Sequence, residues 1–259
     1  MPESSNQKQP KYLLTLIVLS QFAGTALWFA SNAILDNLTI AFQLPANALG
    51  YLTSAVQLGF ISGTLLFAFY LIADRFSPSK VFMVCAALGA LFNAGILFYN
   101  GGLWGLVSFR FLTGFCLAGI YPVGMKIASD WYQGSLGKAL GYLVGALVFG
   151  TAFPHFLKFT IGMVDWKLVI VITSSAALLG GFLVGFLIPD GPFRKVSTKF
   201  EPKVIIEIFK FPKFRSAAFG YFGHMWELYA FWTFLPFFLL SWSNIQEQAF
   251  NIPLWAFIL

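Results

Sequence analysis

Seven apolar stretches of about 20 residues each divide this chain, and its positive charges fall almost entirely in every second connection between them. The stretches read as residues 12–34, 49–72, 81–99, 103–125, 136–157, 167–188 and 216–240. An eighth begins near Ile252, before the sequence stops at Leu259. A helix rises about 1.5 Å per residue, so each stretch is long enough to cross a hydrocarbon layer of about 30 Å. Composition argues against a water-soluble globule: 58% of residues are hydrophobic, 10% are charged and mean hydropathy is +0.77, where a soluble domain carries about 25% charged residues. The expected class is an all-α membrane protein.

The net charge of +6 raises the question of nucleic acid, and its distribution answers it. Lys8 and Lys11 precede the first stretch, Arg75 and Lys80 follow the second, and Lys126 and Lys138 follow the fourth. Arg194, Lys195, Lys199, Lys203, Lys210, Lys213 and Arg215 lie between the sixth and seventh. The alternate connections hold only Lys158 and Lys167, and Arg110 lies inside a stretch. The positive-inside rule then places the N-terminus in the cytoplasm, and a bacterial inner membrane is the expected location. The first apolar run exceeds the usual 7–15-residue core of a cleaved signal, so it reads as a retained helix. No nucleic-acid partner is expected.

Along the chain, residues 1–11 read as a polar cytoplasmic tail and 12–188 as a six-helix bundle. Residues 189–215 read as a basic linker, and 216–259 as helix seven with the start of helix eight. The linker opens with Pro189-Asp190-Gly191-Pro192. Within it, Val204–Phe211 suits an amphipathic helix on an anionic leaflet; a solvated hinge fits the same composition. Six helices, a basic linker and further helices is the layout of a transporter made of two bundles.

Small residues mark close approaches. Gly59 and Gly63, and again Gly181 and Gly185, form G-x-x-x-G spacings that favour tight packing of membrane helices. Gly141, Gly145 and Gly150 followed by Pro154 give the fifth stretch a thin face and a point at which to bend, and plain packing explains the pattern nearly as well. Cys85 and Cys116 read as small packing residues. The chain's two histidines, His155 and His224, belong to different stretches, so no metal site is expected, and no cofactor.

The turn Ala73-Asp74-Arg75-Phe76-Ser77-Pro78-Ser79-Lys80 carries one acid and two bases suited to charge-assisted bonds with helix ends or a neighbouring bundle. It also serves as an ordinary topogenic turn. Ala73-Asp74-Arg75, Arg110-Phe111-Leu112-Thr113-Gly114 with Ala118-Gly119-Ile120-Tyr121-Pro122, the glycine and proline pattern of the fifth stretch, and Gly223-His224-Met225-Trp226-Glu227-Leu228 together resemble the major facilitator superfamily of secondary transporters. The last of these is similar to poorly characterised bacterial members, and the resemblance covers nearly the whole chain. It implies the N-terminal bundle and first following helix of a twelve-helix fold that alternates access around a midplane site. Tyr70 and Ser77 stand where the loop motif has glycine, and Ala146 follows Gly145 where the export motif has proline. An exporter is therefore not implied.

Ionisable residues inside a membrane are costly and tend to line cavities or pair. Arg110 lies inside the fourth stretch; the resemblance implies proton coupling or a hold on an anionic substrate, and snorkelling to the outer interface is the other reading. His224 and Glu227 share a helical face at i, i+3, fitting a proton relay, a neutralising partner for Arg110, or a structural polar contact. Trp28, Asn32 and Gln57 are further candidates for cavity lining, although a Trp near a span end also serves as an interface anchor. The expected function is secondary transport of a small solute, an organic anion being slightly favoured, with the bilayer, a solute, protons and a second half or partner chain as partners. The alternatives are an inactive transporter fragment and a membrane-embedded enzyme or sensor.

Overall fold

The computed structural model describes residues 11–161, 165–196, 202–246 and 251–258. The tail with Lys8, and Lys199 of the linker, lie outside them. Every regular element among the described residues is helical. Six helices are long and apolar enough to cross a membrane: α4 (Ala48–Phe69), the α6 segment Pro78–Phe98, the α7–α8 segment Leu103–Trp131, α9 (Leu136–Thr160), α10 (Trp166–Leu187) and α12 (Pro212–Gln246). Of these, α6 proper is Pro78–Gly95, closing in a short 3-10 turn, while α7 is Leu103–Leu117 and α8 is Tyr121–Trp131.

The first stretch departs from the continuous span expected over 12–34. It is broken into α1 (Lys11–Thr25), α2 (Ala30–Ala33) and α3 (Leu35–Phe42). Around the break the backbone bonds tighten to i→i−3, with Leu27 N–H on Gly24 O and Trp28 N–H on Thr25 O. Neither glycine nor proline occupies 26–29; the break is held from outside, by groups that take up the freed carbonyls. The fourth stretch also runs further than expected, to Trp131, with a shorter interruption at 118–120 that Pro122 reopens as the first turn of α8.

Backbone proximity sets the helix pairs. A Cβ on Gly59 would collide with Phe111 O, one on Gly63 would lie 2.6 Å from Phe115 O, and one on Gly114 would collide with Val56 O. Each helix of the α4–α7 pair thus presents glycine to its partner's main chain. The second G-x-x-x-G joins α10 to α6: Cβ atoms on Gly181 and Gly185 would strike Ala86 and Met83. Helix α1 packs between α9 and α10.

Two apolar clusters fill the bundle. One gathers Leu13, Ile17, Phe82, Val123, Leu143 and Val184, and the other Ile34, Leu52, Ile96, Leu106, Leu157 and Val169. Along α4, α6, α7, α9 and α10 one cluster gives way to the other near the middle, and buried polar residues lie at that switch: Thr53, Asn93, Arg110, Thr113, Thr151, Thr173 and Ser174. A polar belt therefore crosses the bundle midway. Beyond the first bundle, α11 (Pro202–Lys210) leads into α12, then α13 (Ile252–Ile258) follows. Helix α12 is mostly exposed, with Thr233 and Leu235 as its buried residues.

Candidate functional site

Arg110 is the centre of the belt. Its side chain is fully buried. Its Nη1 donates to Leu27 O at 3.0 Å and its Nη2 to Trp28 O, while Nε has no partner among the described residues. These carbonyls lie just past the C-terminal end of α1, where the helix dipole is negative. The break thus supplies a cation with acceptors that an intact helix would have consumed, and the cation in turn satisfies carbonyls that hydrocarbon cannot. This geometry removes the snorkelling reading: the side chain turns into the first span and not toward an interface.

Trp28 shares that break. It is fully buried, which rules out a role as interface anchor. Its ring lies against Phe60 (centroids 4.7 Å apart) and stacks on Tyr229 of α12 (5.3 Å, 20°), while Trp232 meets Phe29 edge-on at 6.3 Å. The indole Nε1 has no partner among the described residues, nor do Gln57 Nε2 and Asn32 Oδ1. Asn32 instead donates through Nδ2 to Thr53 Oγ1 at 2.8 Å. Trp28 therefore lies beside Arg110, and Asn32 is tied to α4 through Thr53.

His224 and Glu227 do not join them. Both are exposed. Tyr229 is two residues beyond Glu227, a rotation of about 200° around the helix, so docking Tyr229 and Trp232 on the break turns the His224–Glu227 face away from Arg110. Among the described residues no ion pair links Glu227 to Arg110, and the expected neutralisation across the bundles is absent from this arrangement.

In the fifth stretch, α9 runs unbroken through Pro154. The glycines divide: a Cβ on Gly150 would collide with Thr25 Oγ1 and lie 2.6 Å from Phe22 O, whereas Gly141 and Gly145 face open space. Close approach is thus a property of Gly150 alone.

At the basic end of the bundle, Asp74 pairs with Lys126 at 3.0 Å, and Lys126 also reaches Asp130 at 3.5 Å. Lys80 donates to Gly185 O at 2.6 Å near the C-terminal end of α10 and lies over the Phe186 ring. Arg75 has an exposed side chain. The start of the linker is stitched to these turns and is not free. Asp190 accepts from Ser77 Oγ at 2.6 Å and pairs with Arg194, which donates to Phe76 O at 2.9 Å. Trp131 Nε1 donates to Pro189 O at 3.2 Å, and Phe193 N–H to Asp130 O at 3.1 Å. Sequence reasoning treated Pro189-Asp190-Gly191-Pro192 as linker because its composition is that of a loop; the Asp190–Arg194 spacing was the available signal.

Two other groups escaped the sequence. Asn93 Nδ2 bonds Ser174 Oγ at 2.9 Å and Thr173 Oγ1 at 3.3 Å, crossing α6 to α10 within the belt; an amide midway along an apolar stretch was the signal. His155 and Lys158 line a cavity beside Asn32. Among the described residues no cluster of three or more His, Cys, Asp or Glu is placed to hold a metal.

Comparison with known proteins gives two findings. The sequence profile described as Major Facilitator Superfamily matches residues 16–259. The crystal structure of a bacterial homologue of the human lysosomal transporter Spinster, inward-facing and unoccupied, is similar at 17% identity with a TM-score of 0.63. The match covers 77% of this chain and 48% of that one, so the chain spans about half the length of the structure it matches. No curated protein matches the sequence.

Proposed function

Because the chain belongs to the major facilitator superfamily, we propose that it acts in secondary transport of a small solute by alternating access, driven by a proton or solute gradient. The observation that carries this reading is the belt: a buried cation tied to a broken span midway along the bundle, at the place where α12 leans on Trp28 and Phe29. In this proposal Arg110, Trp28, Asn32 and Gln57 line the solute path. His224 and Glu227 carry the proton on the α12 face turned from the first bundle, toward a second half or partner chain. Asp74, Arg75 and Lys80 form a gate whose bonds differ between states, and Gly141, Gly145, Gly150 and Pro154 let α9 shift. The positive-inside pattern supports a plasma membrane, the bacterial inner membrane, with the N-terminus and the basic end cytoplasmic. Arg110 favours a cargo that carries an anionic group.

The test is uptake of candidate solutes into proteoliposomes carrying the chain. Saturable accumulation that collapses when a protonophore dissipates the gradient is the expected result; no flux of any solute under any gradient would sink the proposal in favour of an inactive fragment. Glu227→Gln should abolish gradient-driven uptake more than counterflow exchange, and equal loss of both would remove Glu227 from coupling.

A further inference from the structure

One cavity outside the belt gathers charged and polar groups from three helices. It measures about 100 Å³ and lies where the far part of the broken first span meets α9, α12 and α13. Asn32, Asp36, His155 and Lys158 face it, with Phe237 of α12 and Pro253 of α13 among its apolar walls. His155 is 8% exposed and makes no hydrogen bond among the described residues. Asn32, having given its amide hydrogen to Thr53, keeps a buried Oδ1 with no donor. Lys158 donates to Asn37 Oδ1, and no ion pair joins it to Asp36 among the described residues. The cavity therefore presents a cation and an anion close enough to attract but not joined by a direct ion pair, Asp36 standing at an exposed edge, together with a buried acceptor and an imidazole.

Charge complementarity narrows what fits. An anion alone meets the Asp36 carboxylate at the cavity edge, and a cation alone meets the half-buried Lys158 ammonium; each single ion is disfavoured by the like charge it meets. A solute with both signs satisfies both walls. The Asn32 oxygen asks for an N–H donor, and a neutral imidazole offers an N–H to a carboxylate. The volume is that of about three water molecules, which limits the occupant to a compact molecule. We infer that this cavity binds a small zwitterion, with its ammonium toward Asp36 and Asn32 Oδ1 and its carboxylate toward Lys158 and His155. The inference deepens the transport reading, resting on it only in naming the zwitterion as cargo. An ethanolamine phosphate lipid headgroup shares this chemistry.

The chain has two histidines, so nitrogen-15 histidine labelling gives an NMR probe inside the cavity and a control outside it. The labelled chain is placed in phosphatidylcholine nanodiscs, with His224→Gln assigning the two signals. Glycine, acetate and methylammonium are titrated at equal concentration. Glycine should shift the His155 signal saturably and leave His224 in place, and the two single ions should move neither. Lys158→Met should lose the glycine response while its His224 signal and melting temperature stay at the parent values; should that variant not fold, Asn32→Ala serves and should weaken the response at least threefold. A His155 shift on adding phosphatidylethanolamine, with glycine then unable to shift it further, supports the site and assigns its occupant to lipid. No response to glycine or to phosphatidylethanolamine, or an equal response to acetate, overturns the inference. Nanodiscs have no second compartment, so binding is read without transport. Glycine bound but never taken up by proteoliposomes counts against the transport reading alone; uptake of another solute with no His155 response counts against this site alone.

Discussion

The belt around Arg110 and the turns around Asp74 are both built on charge, and they satisfy it by opposite means. Arg110 is fully enclosed and rests on main-chain carbonyls of Leu27 and Trp28. Asp74, Lys126 and Asp190 are partly exposed and rest on other side chains, and Arg194 divides its bonds between Asp190 and the main-chain carbonyl of Phe76. Backbone acceptors are fixed by the fold and lose nothing to salt, while side-chain ion pairs at a surface are screened and exchangeable. The first arrangement suits a point that must hold through a conformational cycle, and the second suits contacts that must be remade during it.

Substitution breaks this contrast most strongly at its centre. Arg110→Ala leaves two buried carbonyls without donors and should destabilise the chain by about 3 kcal/mol, read as unfolding in mixed detergent micelles. The loss should be the same at low and high salt, and Arg110→Lys should recover part of it. A loss no larger than that of a surface pair would show that the break in the first span does not depend on the guanidinium. Asn93→Ala removes the belt's bond from α6 to α10 and should cost about 1 kcal/mol, again independent of salt; a strong salt dependence would place Asn93 with the exchangeable contacts. Asp74→Asn should cost less than about 1 kcal/mol at low ionic strength, and the difference from the parent should vanish as salt rises. A salt-independent cost at Asp74 would erase the distinction between the two regions.

The spans themselves were legible because hydropathy and loop charge vary with the same period, and each G-x-x-x-G marked a true close approach, Gly59 and Gly63 on α7 and Gly181 and Gly185 on α6. The break at 26–29 was hidden, since Ala26, Leu27, Trp28 and Phe29 are as apolar as their neighbours and the cause sits in another helix, at Arg110. The facing of α12 was hidden for a related reason. A face with His224 and Glu227 and a face with Tyr229 and Trp232 are equally conspicuous in sequence, and only packing decides which meets the bundle. Asn93 is a lone amide in its stretch, and its partners, Thr173 and Ser174, lie three spans away, so nothing local marks its bond.

The stitched start of the linker has a mechanical consequence. Any pull on Arg194 passes through its bonds to Phe76 O and Asp190 to the turn beside α5 (Ile72–Arg75). The bonds at Pro189 O and Phe193 N–H pass the same load to the foot of α8. Two helix ends thus share one tether, and a displacement arriving at Arg194 would move them as a plate before it could tilt either of them.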